Sequence, residues 1–97
     1  MTKEVMRHFE TEPLPGEIFE HCMGGRYRVD RLGWSATGYE QTGEVKRAIY
    51  YTQLTAGEKF PAGTQWDRSL EEFMNGTVEV GGEIVRIFRS TGECEER

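Results

Sequence analysis

Alternation of apolar and polar positions with a period of two is the clearest pattern in this chain. Arg26-Tyr27-Arg28-Val29-Asp30-Arg31-Leu32 sets Tyr27 and Val29 on one face and Arg28 and Asp30 on the other. Leu32 then falls on the wrong parity, so the pattern slips once near its end, as a bulge or a strongly bent strand would make it. Gly33-Trp34 is the expected place of that bend. From Val45 to Leu54 the chain is rich in β-branched and aromatic residues, and Ala48-Ile49-Tyr50-Tyr51 predicts a central strand with Ile49 and Tyr51 on one face. Thr77-Val78-Glu79-Val80 and Ile84-Val85-Arg86-Ile87-Phe88, joined by Gly81-Gly82, predict a hairpin. A first strand is expected over Glu17–His21, with Gly24-Gly25 supplying the turn into the second.

One stretch breaks the period. In Trp66-Asp67-Arg68-Ser69-Leu70-Glu71-Glu72-Phe73, Trp66 closes a strand-like run, Asp67 or Ser69 can cap a helical turn, and Leu70 and Phe73 share its apolar side. Arg68 and Glu72 lie four apart on its wetter side. Before it, residues 60–66 are interrupted by Pro61 and Gly63, which suits an edge. Ser35 to Glu44 is polar, punctuated by Gly38 and Gly43, and reads as a loop. Val5, Met6 and Phe9 are spaced to line a short helix in a leader of residues 1–13. Residues 90–97 read as a flexible acidic tail, which leaves a single domain over residues 14–89.

Five to six short strands with one helical turn predict an all-β, small, strongly bent barrel, because closure hides edges that so few strands cannot otherwise cover. Its expected core is Ile18 or Phe19, Tyr27, Val29, Ile49, Tyr51, Leu70, Phe73, Val78, Val80, Ile84 or Val85, and Phe88. A length of 97 residues, 36% hydrophobic with 12 glycines, fits one such core and many turns.

The net charge of -5 is unevenly spread: residues 1–25 carry -3, residues 26–68 carry +2, and residues 69–97 carry -4. So mild a basic excess is no nucleic-acid stripe, although a local patch of Arg26, Arg28, Arg31, Lys46, Arg47 and Arg68 would make one. Cys22 and Cys94 form no CxxC pair and no metal-ligand spacing, and the start of the chain has no export signal. A cytoplasmic protein with free thiols is expected. No apolar run approaches the roughly 18 residues of a membrane helix.

The order Pro15-Gly16, Ile18-Phe19-Glu20-His21, Gly25-Arg26-Tyr27, Tyr50-Tyr51-Thr52-Gln53-Leu54, Trp66 to Phe73 and Val78-Glu79-Val80-Gly81-Gly82 resembles the DUF1653 family, small bacterial domains of unknown function. The resemblance spans about residues 15–89 and implies an SH3-like barrel. The family's recurring His, Tyr-rich strand and Trp-x-Arg-Pro corner fall on His21, Tyr51, and Trp66 with Arg68. Two departures stand out: Ser69 replaces the usual Pro, and Trp34-Ser35-Ala36-Thr37 lacks the His of the family's corresponding run.

Three candidate sites follow. His21 sits at a strand end, where an imidazole can move a proton or hold a turn. Arg68 offers a planar fork to a phosphate or carboxylate, or an ion pair with Glu72. Trp34, Tyr39, Tyr50 and Trp66 would form an aromatic platform if the fold brought them together. No nucleophile and base stand in a characteristic order, and no cofactor or metal motif is present. Cys22 beside His21 is a poor pair, because neighbouring strand residues face opposite ways unless the strand ends between them. The expectation is a non-enzymatic binding or protein-interaction module with a ligand groove of His21, Tyr51, Trp66 and Arg68. It would take a protein, a peptide or a small polar ligand, with no cofactor, metal or membrane. The alternatives are a single-stranded nucleic-acid binder and a small-ligand-processing enzyme using His21.

Overall fold

A computed structural model of the chain describes residues 12–95. The leader residues 1–11, with Val5, Met6, His8 and Phe9, lie outside the described residues. So do Glu96 and Arg97.

Among the described residues the fold is all-β as expected, with seven strands and two short helices. In chain order these are β1 (Glu17–His21), β2 (Arg26–Ser35), α1 (Tyr39–Thr42), β3 (Lys46–Gln53), β4 (Gln65–Ser69), α2 (Leu70–Asn75), β5 (Thr77–Val80), β6 (Glu83–Arg86) and β7 (Phe88–Cys94). Five of the strands form one antiparallel sheet in the order β4-β3-β2-β1-β7, while β5 and β6 pair only with each other. The closed barrel predicted from sequence does not form, since no backbone ladder joins β4 to β7 among the described residues.

The sheet nevertheless coils tightly. β3 and β7 are three strand spacings apart, roughly 14 Å in a flat sheet. Yet the rings of Tyr51 on β3 and Phe88 on β7 stand 5.6 Å apart. The bulge responsible for part of that bend falls between Val29 and Arg31, where the β2–β3 register shifts. It leaves Asp30 as the extra residue and returns Leu32 to the face of Val29, which accounts for the slip in the sequence pattern and puts the irregularity ahead of Gly33-Trp34. The paired glycines behave as predicted: Gly24 and Gly25 have φ of 103° and 100°, and Gly81 and Gly82 have φ of 59° and 87°.

The helical corner forms one step later than the sequence suggests. Trp66 lies near the start of β4, and the turn comes at Ser69, whose hydroxyl accepts from the Glu72 N–H at 3.0 Å. Ser69 therefore caps α2 without the rigid φ of a proline. Leu70 and Phe73 then face inward, and Phe73 stacks on Phe88 at 4.2 Å. The buried core comprises Phe19, Val29, Ile49, Tyr51, Leu70, Phe73 and Phe88, with Tyr27, Leu32, Trp66, Met74 and Ile87 packed against it.

Two expectations need correction. Val78, Val80 and Ile84 are exposed, Ile84 to 70%, because the β5–β6 ribbon satisfies its backbone within itself and only Ile87 and Phe88 return to the core. Alternation shows that a hairpin can form, and does not show which side meets a core. The domain also does not end at residue 89: β7 continues to Cys94 as an edge strand alongside β1. Its pairing is polar, with Ser90 Oγ donating to Glu17, Thr91 Oγ1 donating to the Ile18 carbonyl, and Arg26 and Arg28 paired with Glu93 and Glu95. Charges of this kind serve an edge without an apolar pattern.

The same register separates the cysteines. Cys94 pairs opposite Glu17, while Cys22 follows the other end of β1, so they stand about 17 Å apart at strand rise and far beyond the roughly 7 Å reach of a disulfide. Both are free.

Phe73→Ala is expected to lower stability by about 3–5 kcal/mol, the usual range for a fully buried ring, whereas Ile84→Thr should stay within about 0.5 kcal/mol. Urea unfolding of the two variants measures the contrast. Equal effects would contradict the division between a packed sheet and an unpacked ribbon.

Candidate functional site at the open seam of the sheet

Strand parity determines which candidate residues share a face. Val29, Tyr51 and Trp66 form one cross-strand row, Leu32, Ile49 and Arg68 the next, and Phe19 pairs with Tyr27. His21 pairs with Phe88. All of these lie on the concave side, and coiling gathers His21, Tyr27, Tyr51 and Arg68 about the ring of Phe88.

Arg68 is held on three sides. Its Nε donates to the Tyr51 hydroxyl at 3.3 Å, its guanidinium carbon lies 5.4 Å from the Phe88 ring centroid, and one Nη lies 3.7 Å from Glu72. Glu72 is mostly exposed, so that last contact is weak. Burial pushes the Tyr51 hydroxyl pKa up, only partly opposed by the hydrogen bond from Arg68 and its charge. The phenol therefore keeps its proton.

His21 has a defined tautomer. Its Nδ1 accepts from the Met23 N–H at 3.0 Å, so the proton of the neutral ring sits on Nε2. The ring meets Phe88 edge-on at 5.2 Å. Burial, and then the positive charge of Arg68, lower its pKa below the ordinary 6.5, which favours that neutral form. β1 ends at His21, so the Cys22 thiol comes within 4.0 Å of Nδ1. That lone pair already points at Met23, and His21 in this tautomer is no base for the thiol.

Trp66 stands beside this group rather than inside it. Its indole N–H donates to Gln53 Oε1 at 3.1 Å and its ring meets Phe60 edge-on at 4.8 Å. The amide nitrogen of Gln53 donates to the carbonyls of Thr55 and Phe60, at 2.9 and 3.0 Å, and so pins the loop leading into β4. Gln53 was not among the sequence candidates, though a glutamine two positions after Tyr51 has the parity of the core and was a readable signal. Phe88 and Tyr27 were expected only as core.

The proposed aromatic platform does not assemble. Arg31 covers Tyr50 at 3.9 Å on the convex face, whereas Trp34 packs against Arg47 at 5.3 Å on the other parity. The bulge at Asp30 separates them. Nor do the basic residues form an unopposed stripe: Arg26 pairs with Glu93, Arg28 with Asp30 and Glu95, Arg47 with Glu12, and Arg68 with Glu72.

Two cavities of about 590 and 620 Å³ flank the sheet, one on its convex side by Arg31, Tyr50 and Asp67, the other by Met74, Asn75 and Ser90. Tyr51 and Trp66 border the first and Phe88 the second, while His21 and Arg68 line neither. The four candidate residues are thus not gathered in one of these cavities. Among the described residues no three His, Cys, Asp or Glu side chains gather to hold a metal, and no helix is long and apolar enough to cross a membrane.

Comparison with protein families, curated proteins and solved structures gives no match to this chain.

The depressed His21 pKa carries a pH dependence of definite sign. The unfolded chain takes up this proton first, so the neutral ring's contribution to stability is complete above about pH 6.5 and is lost as pH falls through the folded value. His21→Asn, which keeps an acceptor for Met23, should flatten the stability profile between pH 7 and 5 relative to the parent. Parallel urea-unfolding profiles for the two proteins would rule this out.

Proposed function

We propose that this chain is a cytoplasmic, non-enzymatic binding or protein-interaction module, and that it engages a protein, a peptide or a small polar ligand at the seam of His21, Tyr51 and Arg68, with Trp66 on the flank. The observation that carries this is the state of Arg68. An arginine is fixed over an aromatic ring by a buried tyrosine, and among the described residues its outer N–H groups have only the long, exposed contact to Glu72. Its forked donors are thus oriented before any ligand arrives, which lowers the ordering cost of binding.

That the four candidate residues are not gathered in one of the two flanking cavities supports an interaction surface over catalysis, which favours an enclosing cleft. His21 has its acceptor nitrogen occupied by Met23 and lines neither cavity, which weighs against an enzyme using His21. The paired arginines weigh against single-stranded nucleic acid, whose affinity depends on cations free to replace counterions. The resemblance to the DUF1653 family points to the same four residues and is proposed as the family assignment.

Two-dimensional NMR with a panel of peptides, small polar molecules and oligonucleotides tests the proposal. Binding by a member of the panel should move the Arg68 Nε–H, the Trp66 indole N–H and the Tyr51 amide together, with the β5–β6 ribbon unmoved. If none of these signals responds to any class, the seam is not a binding surface.

A further inference from the structure

Arg68 and His21, the two polar anchors of the seam, present the same kind of valence. Arginine only donates, and the second Nη of Arg68 has no partner among the described residues. With Nδ1 engaged by Met23, neutral His21 can only donate, through Nε2. The hydroxyl of Tyr51, which accepts from Arg68, is buried. On the Trp66 flank, Gln53 Oε1 already accepts from the indole. A site whose two polar anchors, Arg68 and His21, both present donors calls for a ligand that brings acceptors.

Charge narrows the class further. The one guanidinium of the seam is partly exposed, with Glu72 at 3.7 Å and Asp67 as its neighbour in sequence, on a chain of net charge -5. That environment favours a monoanion over a doubly charged phosphate, and a carboxylate matches the fork of one arginine through two parallel hydrogen bonds. Apolar surface lies within reach. Trp66 is two residues from Arg68 on the same face of β4, about 7 Å away, and its ring is extended by Phe60, which is 47% exposed.

On the reading that the seam is a binding surface, we propose that its ligand is a carboxylate carried next to an apolar side chain, with Arg68, oriented by Tyr51, holding the carboxylate, the Nε2–H of His21 assisting, and the apolar group lying against Trp66 and Phe60. Two sources present this chemistry: the C-terminal residue of a peptide, and an acidic side chain beside an apolar one.

Five small probes separate the outcomes by NMR titration: N-acetylphenylalanine, its amide, the amide of N-acetyl-glutamyl-phenylalanine, acetate and inorganic phosphate. N-acetylphenylalanine should move the Arg68 and His21 side-chain signals with a Kd about tenfold below that of its amide. Equal response to the glutamyl-phenylalanine amide assigns an acidic side chain beside an apolar one as source, and a much weaker one assigns a C-terminus. Trp66→Leu should weaken N-acetylphenylalanine several-fold while leaving acetate unchanged. Arg68→Gln should erase the preference for acid over amide. Should its loss from Phe88 unfold the chain, Arg68→Lys keeps the charge without the fork and should retain a reduced preference.

An amide that binds as well as its acid, or phosphate that binds more tightly than acetate, overturns the carboxylate assignment. If peptides from the broader panel still move the seam in that case, the interaction module survives and only its ligand chemistry is wrong. If neither panel nor probes move it, both fall.

Discussion

Phe88 joins the two ends of a sheet that, among the described residues, does not close through its backbone. Its ring stacks on Phe73 of α2, meets Tyr51 and Tyr27 edge-on, meets His21 the same way, and lies under the guanidinium of Arg68. Aromatic pairs of these geometries contribute about 0.5–1.5 kcal/mol each beyond the area they bury. The contacts reach from β7, at one edge of the sheet, to Arg68 on β4, at the other. Without them the coil would lose the ring contacts that bring its two outer strands together. The seam is therefore sealed by side chains, and a side-chain seal leaves polar atoms available where a closed ladder would have used backbone ones.

Local physics was legible in the sequence. The slip at Leu32, the two glycine pairs, the Ser69 cap and the inward Leu70 and Phe73 all depend on residues within a few positions of one another, and all have counterparts in the structure. What the sequence hid was non-local. Nothing in Arg89-Ser90-Thr91-Gly92-Glu93-Cys94 announces a strand, because its partners are the carboxylate and carbonyl acceptors of β1 and the arginines of β2. The β5–β6 ribbon errs in the opposite sense: its alternation is genuine, but an antiparallel pair needs no core behind it to satisfy its backbone.

The site was legible in part, and parity explains the boundary. His21, Tyr51 and Arg68 were singled out from a strand end, a central strand and a capped corner, and the coil brings them to one ring. Trp66 keeps its place on the same face as Arg68, yet its indole is spent on Gln53. Trp34 and Tyr50 seemed equally fit by composition, and a single extra residue at Asp30 puts them on opposite sides of the sheet. A bulge is easily read as a local irregularity; its effect on which distant aromatics converge is not readable without the pairing.

Arg68 links stability to recognition on the binding proposal. The contact with Phe88 that helps hold β4 toward β7 is the same contact that orients the guanidinium, so a ligand that grips Arg68 in this pose binds the coiled sheet and not the opened one. Mass action then requires occupancy to stabilise the coil, by RT ln(1 + [L]/Kd) for a ligand that ignores the unfolded chain. Even a weak ligand at about 100 times its Kd would add roughly 2.7 kcal/mol. A small domain whose outer strands meet through side chains and not through a backbone ladder among the described residues has more to gain from that coupling than a closed barrel, because its opening along the seam breaks ring contacts but no ladder of hydrogen bonds.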